Sequence, residues 1–100
     1  MTMVIMPFTK ASRDKIKAGT KTATARKTKY GFADDTFMVG GVMYRITEVK
    51  KLMLVRVAFD WFKEEGFGSP EEFVEAWVSL HPRIGYTQSR PVFLHLFVKA

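Results

Sequence analysis

The chain has 100 residues, 47% of them hydrophobic and 26% charged, which supports one compact core, leaves little room for a second, and excludes a disordered tail. It contains no cysteine, so a disulfide framework and a thiolate metal site are both ruled out, and two separated histidines, His81 and His95, argue against zinc. The net charge of +6 is concentrated in residues 9–30, where eight bases face the single acid Asp14 and the local net is +7, while the rest of the chain sums to −1. A near-neutral body with one cationic segment points to an anionic partner.

Residues 1–8 are apolar and read as a first strand. They lack the basic region and the cleavage site of a signal peptide, and no apolar run is long enough for a membrane span, so a soluble cytoplasmic protein is the expectation. A short helix follows over 10–18, with Thr9 or Ser12 as its cap, Ile16 facing inward and Gly19 at its stop. Residues 22–26 alternate as a strand does, which places Thr22, Thr24 and Arg26 on one face and Ala23 and Ala25 on the other. Residues 27–35 read as a loop. Gly40-Gly41 between residues 36–39 and 42–49 is a strong hairpin signal. Lys50-Lys51 reads as a second turn, and residues 52–57 as a further strand.

A short helix over 59–65 is closed by Gly66. Ser69-Pro70-Glu71-Glu72 is the clearest local signal: Ser69 caps, Pro70 suits the first helical position and Glu72 completes a capping box. The helix that follows carries Phe73, Val74, Trp77, Val78 and Leu80 on one side and ends before Pro82, and the last strand covers 92–98. No internal repeat and no low-complexity linker is present. Five to six strands and two to three helices predict an α+β fold, within one domain spanning 1–100, whose sheet curls towards a small barrel.

The segment Gly19-Thr20-Lys21-Thr22-Ala23-Thr24-Ala25-Arg26 invites chemistry on physical grounds. A cation, two hydroxyls and a guanidinium converge there on one small ligand. Arg26 can hold a carboxylate or phosphate through two hydrogen bonds, Lys21 can stabilise an oxyanion or act as a base, and Thr24 can bind a ligand or serve as a nucleophile beside a base. Tyr30 and Phe32, in the polar loop after the motif, are candidates for stacking on a base. Lys10, Arg13, Lys15, Lys17, Lys27 and Lys29 are the candidate phosphate contacts. The plainer readings stand beside these. The basic run is also what a solvated helix face looks like, and Thr favours strands without any function. Trp61 and Trp77 read as core, His81 as a helix-end residue and His95 as a hydrogen-bonded core histidine. No residue pattern calls for a cofactor.

Gly19, Lys21, Thr24 and Arg26 fill every fixed position of Gly-x-Lys-x-x-Thr-x-Arg, and in this the chain resembles the ASCH domain family (activating signal cointegrator-1 homology), whose fold is similar to the PUA RNA-binding barrel. Asp34-Asp35 before Thr36-Phe37 corresponds loosely to the family's Gly-Asp, with the Gly missing. Residues 65–73, Glu-Gly-Phe-Gly-Ser-Pro-Glu-Glu-Phe, match a stretch of the family, as do Trp77, His81-Pro82 and the closing apolar strand. The resemblance covers nearly the whole chain. It implies a PUA-like small barrel that recognises RNA or a nucleoside-type ligand. One bacterial branch of the family hydrolyses N4-acetylcytidine to cytidine and acetate with a Thr, a Lys and a Glu. Carried over, these fall on Thr24 as nucleophile, Lys21 as proton acceptor and Glu65 as proton donor, with Glu64 as an alternative to Glu65. Thr22, Arg26 and Tyr30 are the remaining ligand-binding candidates. The family's link to coactivator proteins adds a protein–protein adaptor as a third reading, with no dedicated sequence feature.

Overall fold

The computed structural model describes residues 1–100. The elements run α1 (Lys10–Ala18), β1 (Ala23–Arg26), β2 (Thr36–Val39), β3 (Val42–Met53), α2 (Leu54–Asp60), α3 (Pro70–Leu80) and β4 (Pro91–Lys99). The four strands form one antiparallel sheet in the order β1-β4-β3-β2, curled into a half-barrel. No helix is long and apolar enough to cross a membrane.

The α+β class and the curled sheet agree with the expectation from sequence, but there are four strands rather than five or six. Two segments account for the difference. Residues 1–8 contribute only a single parallel bridge, Met3 to Thr36, flanked by Val4 N–H to Thr36 O at 2.7 Å and Thr36 N–H to Thr2 O at 2.8 Å. Pro7, which has no N–H to donate, follows closely. The second difference is at Lys50-Lys51, where β3 does not turn. It continues to Met53 because β4 supplies partners along its length, from Tyr44 opposite Lys99 to Met53 opposite Pro91, with a bulge between Ile46 and Glu48. The apolar run from Leu54 then winds into a helix. Its first donors find loop carbonyls in place of a side-chain cap: Leu54 N–H meets Arg90 O at 2.8 Å and Val55 N–H meets Gln88 O at 3.0 Å. The helix expected over 59–65 is therefore α2, shifted earlier, followed by turns over 61–66.

Both faces of the sheet are covered, and the alternation of β4 shows how. Val92 and Leu94 face a cluster with Leu54, Val57 and Ala58 of α2 and Phe73 and Trp77 of α3. Phe97, on the opposite face, joins Met6, Ile16 of α1, Phe37, Tyr44 and Ile46. Helices α1 and α3 begin and end where their caps dictate. Thr9 Oγ1 accepts from Ser12 N–H at 3.2 Å and Ser69 Oγ accepts from Glu72 N–H at 3.2 Å. Gly19 sits left-handed at the end of α1 and returns its N–H to Ile16 O.

Candidate functional site

A cavity of about 430 Å³ opens between the segment 7–12, β1, the turn after α2 and the side of α3. Lys21, Thr24, Arg26 and Glu65 form its polar side, and Phe8, Phe67, Phe73, Trp77 and Leu80 supply an apolar one. This combination of an apolar wall and a few convergent polar groups characterises small-ligand sites of this size.

At the centre lies a buried ion pair. Lys21 Nζ donates to Glu65 Oε1 at 2.7 Å and to Glu65 O at 3.1 Å, and both side chains are only 5% exposed. Glu65 Oε2 accepts from Ala25 N–H at 2.6 Å, so the carboxylate also satisfies an outward donor of β1, an edge strand. The backbone brings the two partners together from 44 positions apart. Lys21 N–H is bonded to Lys15 O, and the N–H groups of Thr22 and Ala23 both reach Glu64 O, which ties the turn after α2 to the start of β1. Gly66 makes that closeness possible. Its φ is +93°, and a Cβ there would meet Lys15 Cδ at 3.0 Å and Lys21 Cβ at 3.2 Å. Of the two acids at this turn, Glu65 is buried in the cavity and Glu64 contributes its carbonyl.

Arg26 is clamped rather than free. Its guanidinium carbon lies 4.7 Å from the Phe8 ring centre and 5.2 Å from that of Tyr30, Nε donates to Thr24 Oγ1 at 3.3 Å, and Nη2 donates to Pro7 O. Burial lowers the guanidinium from its ordinary pKa, against the opposing effects of Tyr30 and Glu65. Two hydrogen bonds leave three of its five donors for a ligand oxygen. Thr24 is 5% exposed. Its hydroxyl is bonded to Arg26 and not to Lys21.

Behind Thr24 stands His95, fully buried and directly opposite it in the sheet. Nε2 accepts from Tyr30 N–H at 3.1 Å, which leaves the ring hydrogen on Nδ1, 3.3 Å from Thr24 O. Burial holds His95 below its ordinary pKa, with Arg26 and Lys29 adding like charge, so the ring is a neutral brace for both the strand and the loop.

Several expected site residues lie elsewhere. Thr22 does not share the cavity with Thr24 and Arg26. The strand begins only at Ala23, and Thr22, exposed, borders a second cavity. Tyr30 does not line the first cavity but backs Arg26 and meets His95 edge-on with ring centres 6.3 Å apart. The basic residues are dispersed. Lys10 pairs with Asp14 in solvent, Arg13 donates to Phe8 O at 2.8 Å, Lys15 lies 4.0 Å over the Phe67 ring, Lys17 borders the second cavity, Lys27 is exposed, and Lys29 lies 4.6 Å from the exposed ring of Phe32.

The aromatic wall went unread in the sequence. Trp77 and Phe73 belong to the core and line the cavity at once, and His81, capping α3, packs on Trp77 with ring centres 4.1 Å apart and Nδ1 bonded to Trp77 O. Phe67 carried a signal in the Glu-Gly-Phe stretch. No group of three or more His, Asp or Glu converges as a metal site would require.

No family model and no curated relative matches the chain by sequence. Solved structures match by shape. The chain is similar to an ASCH domain from Lactobacillus crispatus JV V101 at a TM-score of 0.78 and 17% identity, covering 98% of this chain and 79% of that one. It is similar to the hypothetical protein PH0355 at 0.73 and 16% identity, covering both chains entirely. A protein from Enterococcus faecalis V583 gives 0.63 and 17% identity, over 99% of this chain and 78% of that one.

Proposed function

We propose, from the premise that this chain has the fold of an ASCH domain, that residues 1–100 act as one domain that recognises RNA or a nucleoside-type ligand in the cavity lined by Lys21, Thr24, Arg26 and Glu65. One observation carries this reading. Four polar groups that the motif and the turn after α2 supply meet in a single cavity whose other side is aromatic and whose size suits a nucleoside. A planar base would lie against Phe67 and Trp77, and its polar edge would meet the unused donors of Arg26. The outlying bases, Lys10, Arg13, Lys15, Lys17, Lys27 and Lys29, would meet phosphates.

The salt dependence of RNA affinity tests this. Each phosphate contact contributes about 0.7 to the slope of log affinity against log salt on single strands, so Lys15→Glu or Lys17→Glu is expected to weaken binding and flatten that slope. An affinity independent of salt would remove RNA from the reading and leave the nucleoside.

The Lys21–Glu65 contact favours a second reading, hydrolysis of N4-acetylcytidine. In the pair an ammonium donates to a carboxylate across 2.7 Å. Moving that proton to Glu65 leaves an amine and a carboxylic acid, the forms this chemistry needs. Lys21 then takes the Thr24 hydroxyl proton as Oγ1 bonds to the acetyl carbon. Glu65 protonates the departing N4 amine as the amide bond breaks. Water hydrolyses the resulting threonyl ester, which releases acetate and restores Thr24. Arg26 Nε, already on Thr24 Oγ1, stabilises negative charge there. Incubation with N4-acetylcytidine is expected to yield cytidine and acetate, with turnover abolished in Lys21→Ala and Thr24→Ala. A loss of only a fewfold in Thr24→Ala excludes it as the nucleophile.

A further inference from the structure

A second cavity, of about 470 Å³, lies between the C-terminal end of α1 and the β2–β3 hairpin, against the core cluster that contains Ile16, Tyr44 and Phe97. It shares only Lys21 with the first. The charges around it are one-sided. Lys17 and Lys99 line it, no carboxylate does, and neither ammonium has a salt-bridge partner. Both lysines are exposed at the edge of a half-open cavity, and two cations there without an acid favour an anion between them.

The hairpin is shaped around one of these amines. Gly40 has φ +55°, and a Cβ at that position would collide with Cε and Nζ of Lys17, so the lysine passes directly over a turn that lacks a side chain. The floor is polar as well. Tyr44 is 6% exposed and sits opposite Lys99 in the β3–β4 register, which puts both side chains on one face of the sheet. Its ring is gripped by Phe37, stacked at 5.8 Å, and by Phe97, edge-on at 5.9 Å. The hydroxyl has no hydrogen-bond partner in the protein and, unlike the buried ring, opens to solvent in the cavity. It is therefore a donor that a ligand in the cavity can take over from water.

We infer that the second cavity is a phosphate site. One phosphate oxygen accepts from the Tyr44 hydroxyl, the ammonium groups of Lys17 and Lys99 neutralise the charge, and the exposed Thr22 hydroxyl stands at the rim as a further donor. The phosphate is either free, as inorganic phosphate or a mononucleotide, or part of a polynucleotide backbone. The site does not depend on what occupies the first cavity.

Titration with inorganic phosphate against sodium chloride at matched ionic strength tests it, read from backbone amide NMR shifts. Saturable shifts are expected at Lys17, Gly40, Gly41 and Tyr44. Affinity is expected to fall about tenfold or more in the Lys17→Met/Lys99→Met double variant, since hydrogen bonds to charged groups carry that much. It is expected to fall severalfold in Tyr44→Phe, which keeps the ring contacts and hence the fold. Shifts that never saturate and spread over every basic segment, or variants that bind like the parent, overturn the proposal. A short oligouridylate forms the second arm. If its affinity falls in the same variants, the phosphate belongs to a backbone, and if only inorganic phosphate is lost, the site takes a free phosphate or a mononucleotide. Cytidine, read at the Thr24 and Ala25 amides, reports on the first cavity separately, so a failure there leaves the phosphate site standing.

Discussion

Two lysine–carboxylate pairs of similar length, each with its lysine in the basic segment, occupy opposite surroundings. Lys10 and Asp14 meet at 3.0 Å on the outside of α1, with side chains 81% and 62% exposed, and Lys21 and Glu65 meet at 2.7 Å with 5% exposed each. Water and salt screen the first pair, and its contribution is small. For the second, taking two ions out of water costs several kcal/mol apiece, and only their tight geometry and the further bonds to Glu65 O and Ala25 N–H offset that cost. An apolar pair of the same volume would serve stability nearly as well, short only of the bond that Glu65 gives Ala25 N–H. The difference teaches that surroundings, not separation, set the cost of such a pair: the exposed one is an ordinary feature of a helix surface, and the buried one is expensive enough that the proposed function gives a reason to keep it.

The sharpest way to break this contrast is Glu65→Ala. It strands the Lys21 ammonium and the Ala25 N–H in the interior, and chemical denaturation is expected to show a loss of about 3–5 kcal/mol. The double change Lys21→Met/Glu65→Leu removes both charges. It is expected to recover much of that loss, with a deficit of about 1–3 kcal/mol for the orphaned Ala25 N–H, while the binding expected under the proposed function is lost in both variants. Should the double variant be as unstable as the single one, the pair is a structural requirement and the contrast fails.

A third test uses acid. His95 is held below its ordinary value of 6.5 by burial, so the unfolded chain binds its proton more readily than the folded one. The stability due to the neutral ring is complete above about pH 6.5 and is lost as pH falls through the lower folded value, with a slope of up to about 1.4 kcal/mol per pH unit. Denaturation midpoints measured from pH about 7.5 to about 5 are expected to follow that slope in the parent and to lose it in His95→Gln. At the small end, Lys10→Ala is expected to change stability by under about 0.5 kcal/mol, measured by the same denaturation.

How far the sequence reached depended on the range of the interactions involved. The capping of α3 by Ser69 and the stop of α1 at Gly19 are local events, and both were legible from a few residues. Lys50-Lys51 looked like a turn because nothing nearby says otherwise, and only β4, some forty residues later, keeps that segment extended. The run from Leu54 was apolar in a way that fits strand or helix equally. Similarly, alternation placed Thr24 and Arg26 together, but β1 begins only at Ala23, and Thr22, ahead of the strand, borders another cavity. Spacing alone gave no means to join Lys21 to Glu65. The resemblance to a known family named them in one set, with Glu64 still open and their contact in space unresolved, and the aromatic wall behind the pair remained invisible because Phe73 and Trp77 read as core.

The sheet order has a consequence for how the site comes into being. All the side chains that line the first cavity lie at or before His81. Yet β1, which carries Thr24 and Arg26, has a single strand neighbour, β4, and the brace behind Thr24 is a residue of that strand. During synthesis every lining residue would have left the ribosome while β1 still lacked the strand it pairs with. Folding must bring residues 23–26 and 93–96 together across most of the chain before Thr24 and Arg26 are held in a sheet, and such distant pairing is slow. A truncation at residue 90 would therefore retain each lining residue and lose the site.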